Sequence, residues 1–331
     1  MSVSSRKEIR DYVLSATRQS NTQIGSLVND MINQTLSEMN NPGWAFRNRN
    51  FNHNWNFLKQ KTTFATVDGT SDYVLGREVD RIALIRQTTT PAKLVQLTDE
   101  KFFEFIPDPT DTGNPRFYRQ WVTEGVATRL ATADTLDVVS DNAGDAGDST
   151  LAVTISGYVG GIWESETYQL NGVTPVTGSK TFQARELIVS KQKDTTGTIT
   201  VTENSGSTSL VTLGPDERTP RFKVVSLYPI PSSAITMSVE YYTTIPTLNN
   251  DSDAPMFHEK WHYVVRMGAQ AKVYQYLNKE TDFATQQGLY AAGVRAMVES
   301  DKERPDLIER LAPRINIRPI MHIRRSEDAI A

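Results

Sequence analysis

The period of the apolar residues changes twice along this chain, and that alternation restricts the fold more than any motif does. Near the N-terminus, Ile24, Leu27, Val28, Met31, Ile32, Leu36 and Met39 recur at i, i+3, i+4, i+7, which places them on one helical face. Two helices are predicted over the first forty residues, the second capped by Thr22 and stopped at Asn40-Asn41-Pro42-Gly43. From residue 61 to 139 the spacing is that of strands. Residues 64–75 read as two strands around an Asp68-Gly69 turn, and residues 81–86 and 117–122 as two more. After Pro255 the helical period returns. Trp261, Val264, Val265, Gly268, Ala269, Val273, Tyr276 and Leu277 form one stripe; Phe283, Gln287, Tyr290, Ala291, Val294, Met297 and Val298 form another. The expected fold class is α+β: an α-helical bundle from the N- and C-terminal helices, with a small, mainly antiparallel β-sheet.

A different texture interrupts this plan. Residues 141–148 are acidic and read as a solvated linker. Beyond them, short Thr- and Val-rich strands are predicted at 151–155, 167–170, 185–189, 198–202 and 209–213, with turns at Asn171-Gly172, Thr196-Gly197 and Asn204-Ser205-Gly206. Their spacing predicts a β-sandwich of immunoglobulin-like size. Residues 222–228 and 235–242 read as strands able to rejoin the first sheet, which makes that module an insertion. The expected organisation is a core in two parts at 1–140 and 220–309, an inserted module at 141–219 and a basic extended arm at 310–331. The aromatic residues Trp44, Phe46, Phe51, Trp55 and Phe57 are expected to be core that anchors helix to sheet. A base-stacking surface would need a basic groove, and only Arg47, Arg49 and Lys59 are near.

Several function classes are set aside by composition. The formal net charge is −4, from 35 Lys+Arg against 39 Asp+Glu, which argues against a protein that grips a nucleic-acid backbone over its whole surface. With no cysteine, thiolate metal sites, disulfides and cysteine nucleophiles are excluded. No apolar run is long enough to cross a bilayer, and MSVSSRKEIR has no apolar segment behind its basic residues, so neither membrane insertion nor a signal peptide is expected. No phosphate-binding loop, calcium loop, dinucleotide fingerprint or Gly-x-Ser-x-Gly elbow is present. The expectation is a protein without enzymatic activity or cofactor.

One motif competes with that reading. His258-Glu259-Lys260-Trp261-His262 matches H-E-x-x-H, which on a helix sets two imidazoles on one face for zinc and a glutamate beside them as base. His258 and His262 are therefore candidate metal ligands, and a zinc peptidase is the alternative function. Pro255 and the candidate cap Asp253 put His258 in the second turn of a helix just beginning, Trp261 belongs to the apolar stripe, and no third ligand follows. The blander expectation is two polar residues beside a packing stripe.

The C-terminal arm is the most distinctive charged feature. Arg310, Arg314, Arg318, Arg324 and Arg325 occur with no acidic residue among 310–325, and Pro313 and Pro319 forbid a continuous helix. Between the prolines, Ile315 and Ile317 alternate with Asn316 and Arg318 as in a strand. Such an arm suits a protein partner, to whose sheet edge its backbone can add while guanidinium groups meet carboxylates.

This order of parts resembles the head-to-tail adaptor (connector) proteins of tailed bacteriophages, including tail tubular proteins. The resemblance lies in the N-terminal helices ending near Trp44, the strand pair at 64–75, the strand at 81–86 and Gly113-Asn114-Pro115 before Tyr118. It continues through Leu227-Tyr228-Pro229-Ile230-Pro231, Val239-Glu240-Tyr241-Tyr242, two amphipathic helices and the basic tail. It implies a virion protein, assembled in the host cytoplasm, that forms a ring at the head–tail junction, commonly of twelve copies. The ring would join the portal protein to tail nozzle or fibre proteins, with double-stranded DNA passing through its lumen without specific binding. It further implies that Arg310, Arg314, Ile315, Ile317, Arg318, Arg324 and Arg325 reach the portal. The helices bearing Trp261, Val264, Val265, Gly268 and Ala269 would supply packing between neighbouring subunits. The module at 141–219 would point outward, where fibre or glycan binding is a further alternative.

Overall fold

The computed structural model describes residues 4–46, 51, 53–89, 92–106 and 108–301. Among them are five α-helices: α1 (Arg6–Thr17), α2 (Asn21–Met39), α3 (Asp99–Phe105), α4 (His262–Tyr276) and α5 (Glu280–Asp301). A capping box starts α1: the Glu8 N–H donates to Ser5 Oγ, and the Ser5 N–H donates to Glu8 Oε2. α2 begins right after Ser20, ahead of the expected Thr22 cap, and Ser20 makes no side-chain capping bond. Its buried residues Ile24, Val28, Met31, Ile32, Leu36 and Met39 are the predicted stripe.

α1, α2, α4 and α5 share one apolar core, so helices far apart in the sequence are held together by packing. The aromatic patch belongs to this core, as expected, and Leu58 and Tyr242, at the edge of the β part, pack with it. Trp55 is fully buried, its indole N–H donating to the Met39 carbonyl at 2.7 Å, and Trp44 lies 4.8 Å from the Tyr290 ring of α5. The physical reason is that a helix C-terminus leaves carbonyls without partners, and an indole N–H can satisfy one while the ring fills the core.

The strands preceding the module are β1 (Lys59–Ala65), β2 (Asp72–Val74), β3 (Arg81–Gln87), β4 (Val95–Gln96), β5 (Thr112–Gly113) and β6 (Phe117–Glu124). The next group comprises β7 (Leu136–Ser140), β8 (Ala152–Val159), β9 (Ile162–Gln169), β10 (Val176–Thr177), β11 (Leu187–Lys191), β12 (Ile199–Glu203) and β13 (Ser209–Leu213). The chain closes its β part with β14 (Phe222–Tyr228), β15 (Ile230–Pro231) and β16 (Thr236–Tyr242). β1-β16-β3 form one sheet and β2-β14-β6-β4 another, over a shared core that includes Tyr73, Ile85, Tyr118, Val225 and Val239.

β1 and β2 are not a hairpin, as the Asp68-Gly69 turn had suggested: β1 pairs with β16 and β2 with β14. They meet through side chains, the rings of Phe64 and Tyr73 being 5.0 Å apart. The Tyr73 hydroxyl, donating toward the Val67 and Thr70 carbonyls, ties the turn to the second sheet.

β14 lies antiparallel beside β6, with Phe222 opposite Glu124. The chain thus leaves this sheet at the end of one strand and re-enters in its neighbour. In between, sheets β10-β7-β12-β13 and β11-β8-β9 close over a separate core from Val126 to Phe222. β7 precedes residue 141 yet pairs with β10 and β12, so the compact unit starts ahead of the expected boundary.

Residues 141–148 are mostly exposed, as expected, but they form the turn between β7 and β8, anchored by a buried carboxylate. Asp145 is 1% exposed and accepts from Ser140 Oγ at 2.6 Å and from the Thr196 and Gly197 N–H groups at 2.8 and 2.9 Å. Burial opposes its charge, but these donors outweigh that and hold the carboxyl below its usual range. At the same turn the buried Lys191 ammonium donates to Thr195 Oγ1 and to the Gly214 and Pro215 carbonyls, and burial lowers its pKa. Its three donors match its three acceptors, which is what makes an ammonium tolerable there.

Candidate functional site

His258 and His262 are brought near one another without becoming a ligand pair. α4 starts at His262, and a short 3-10 turn over Glu259–Trp261 precedes it with His258 as its N-cap, so the i, i+4 face of a helix is not formed. His258 is exposed, and its Nδ1 accepts from the Lys260 N–H at 3.2 Å. His262 is 2% exposed, with both ring nitrogens engaged: Nδ1 accepts from the Ser4 N–H at 3.2 Å, and Nε2–H donates to the Phe257 carbonyl at 3.0 Å. The neutral ring has one lone pair, and Ser4 takes it. His262 is a tie between the chain's N-terminal segment and α4.

Val264, Val265, Gly268 and Ala269 are buried inside this chain, and Trp261 is partly buried against the same core. A Cβ on Gly268 would meet Thr35 Cγ2 of α2 at 2.4 Å and the Tyr290 ring of α5 at 3.0 Å. These residues bring α4 against α2 and α5, so the packing expected of them between subunits is made within one. A stripe cannot reveal whether the helix it faces belongs to its own chain.

The arm residues Arg310, Arg314, Ile315, Ile317, Arg318, Arg324 and Arg325 lie outside the described residues. The place from which the arm departs is well held. Asp301 ends α5, and its carboxylate meets His53 Nε2 and the Asn56 N–H, both at 2.9 Å. Beside it a hollow of about 210 Å³ is lined by Phe57, Phe257, His258, Trp261 and Asp301.

The sequence reading missed α3. Thr98 caps it by accepting from the Lys101 N–H, and Asp99 and Glu100 fill its first turn, a signal that was available. Phe102 is buried against Tyr228, whereas Phe103 and Phe105 are 62% and 65% exposed. The Arg119 guanidinium lies 4.4 Å from the Phe102 ring centroid and 5.0 Å from that of Phe103. Two neighbouring, largely exposed phenylalanines are the kind of feature that marks a contact surface.

At the other junction, a cleft of about 440 Å³ lies between the residue 77–80 loop and the strand returning from the excursion. The Arg77 guanidinium crosses it to Glu217 and to the Thr212 carbonyl. Its lining mixes Arg77, Arg221 and Lys223 with Glu78, Asp80 and Glu217, so charges are paired across the junction.

The described fold thus packs helices from the two halves of the chain together, sends out a long excursion from one sheet and presents exposed aromatic residues as a shelf on α3. Residues 131–314, more than half of the chain, match the family model of the SU10 adaptor protein, and the chain belongs to that family of phage adaptors. The match takes in the whole 141–219 segment and stops short of the N-terminal helices, although the resemblance had rested on the chain outside that segment. No curated protein matches the sequence.

Proposed function

We propose that this protein is a non-enzymatic virion component that forms a ring between the phage head and its tail, continuing the channel through which DNA leaves. The family match over residues 131–314 carries the reading. Support comes from a formal charge of −4, since strong attraction to phosphates would retard a passing duplex. In this reading α1, α2, α4 and α5 form the bundle of the ring body. The two sheets of the excursion make an immunoglobulin-like sandwich that points outward. A heterologous contact between copies closes the ring, for which the family resemblance suggests twelve. The arm carries the ring to the portal, and the opposite face receives nozzle or fibre proteins.

The zinc-peptidase alternative has little support, because the lone pair of His262 is engaged by Ser4. Deleting residues 310–331 tests the assignment of the arm. The subunit should keep the circular dichroism and melting of the parent yet lose attachment to portal-bearing heads in a co-sedimentation assay. Undiminished attachment refutes the arm's role, and purified protein that never forms rings under the electron microscope refutes the adaptor ring.

A further inference from the structure

The α3 shelf has three properties that together describe its occupant. It carries exposed apolar side chains: Phe103 and Phe105, 62% and 65% exposed, flank the buried Phe102 on either side of α3, and Val95 of β4 is 52% exposed. It is acidic: residues 99–111 hold Asp99, Glu100, Glu104, Asp108 and Asp111 against Lys101, a net −4, and the Arg119 guanidinium of β6, which pairs with Asp99, lies over Phe103. Asp99, Asp108 and Asp111 have partners in Arg119, Thr110 and Tyr228, while Glu100 and Glu104 have none among the described residues. It also borders a sheet edge: β4 has β6 on one side and, among the described residues, no strand on the other.

A ligand for this surface must be extended, apolar on alternate residues and basic. Residues 310–318 of this same chain answer that description, with Arg310, Arg314 and Arg318 around Ile315 and Ile317 and no carboxylate. The dozen residues between Asp301 and Arg314 can span up to about 40 Å when extended, enough to leave their own subunit. We infer that residues 310–318 of one copy lie across the α3 shelf of a second copy. The isoleucines cover Phe103, and the arginines face Glu100 and Glu104, which share its side of the helix. This pairing deepens the ring reading and rests on it only for the number of copies. It uses the arm up to Pro319 and leaves Arg324 and Arg325 for the portal. Because arm and shelf are different patches, the contact is heterologous and propagates from copy to copy.

Sedimentation velocity of full-length variants tests this. Phe103→Ser with Phe105→Ser disables the shelf, Glu100→Lys with Glu104→Lys does so by charge alone, and Ile315→Asp with Ile317→Asp disables the arm. The parent should assemble beyond a dimer, and each variant alone should remain monomeric, with self-association weakened about tenfold or more. A shelf variant mixed with the arm variant should stop at a 1:1 pair, since one intact arm then meets one intact shelf. Raising salt should weaken that pair. Variants that assemble like the parent, or a mixture that does not pair, overturn the shelf contact; in the first case rings persist and the adaptor reading stands. A solitary parent overturns both, whether or not the arm covers the shelf of its own chain.

Discussion

Asp251 shows how a single side chain can hold two distant parts of the chain. Its carboxylate takes two bonds from Arg10, at 2.7 and 2.9 Å, and one from Arg6 at 3.0 Å, fastening α1 to the loop before α4. Those guanidinium groups lower its pKa to about 2. A carboxyl in the unfolded chain titrates at about 3.9, so the folded form is the weaker base. The stability this clamp adds is therefore present above that unfolded value and lost as pH falls through the folded one. Thermal melts of the parent and of Asp251→Asn should differ at pH 7, begin to converge below about pH 4, and coincide only below about pH 2. A gap that stays constant down to pH 2 would rule out the ionised clamp. Nothing in the sequence marks Asp251 as special, because both of its partners are over two hundred residues away. The same distance hid the role of His262, whose partner Ser4 lies at the other end of the chain. A short motif is legible locally, but its protonation and lone pairs are set by contacts that no local pattern contains.

Among the elements, helices were more legible than the pairing of strands. A stripe such as Ile24, Val28, Met31, Ile32, Leu36 and Met39 states both the period and the buried face, and burial follows it. A strand states its period but not its neighbour, which is why an Asp-Gly turn suggested a hairpin where β1 and β2 belong to different sheets. The predicted strand at 209–213 coincides with β13, whereas β9 starts at Ile162, well before the predicted 167. Glu164 and Glu166 interrupt the apolar alternation there; they are half-buried because Lys180 and Ser179 hold them. Two helical glycines, one buried and one exposed, allow a sharper test of how closely such stripes pack. Gly268 faces Thr35 and Tyr290 at contact distance, whereas Gly288 of α5 is exposed, and a Cβ added to it would have nothing within 4 Å. Gly268→Ala should lower stability by about 1–3 kcal/mol, because α2 or α5 must move away. Gly288→Ala should raise it by about 0.5–1 kcal/mol through helix propensity. Urea melts of the two variants decide the matter, and equal shifts would mean that α4 is not closely packed.

At the scale of the molecule, the excursion between β6 and β14 is attached by its two ends and by a polar rim. Glu124 and Phe222 face each other across the ladder, so the ends are already the distance of a hairpin apart. The remaining ties are exposed polar contacts, including the Arg77–Glu217 pair and Asn249 Nδ2 to Asp216 Oδ2 at 2.9 Å, which contribute little in water. The apolar clusters on the two sides are separate. The sequence disclosed that such a unit existed through its change of composition, but placed its start at 141 because Asp141, Asp145 and Asp148 look solvated. Asp145 is instead buried, its oxygens taken by Ser140, Thr196 and Gly197, while Asp141 and Asp148 stay at least partly exposed and accept from Thr198 and Thr150. Replacing residues 125–221 with an Asn-Gly turn, together with Phe222→Thr to remove the apolar ring left uncovered, should give a shorter chain that unfolds cooperatively and keeps its helical circular dichroism. It should also retain the self-association of the parent, since α3, the helical core and the arm are untouched. Loss of cooperative unfolding would show that the excursion supports the sheet it leaves. Retained folding with lost self-association would move the contact between copies onto the excursion and away from the α3 shelf.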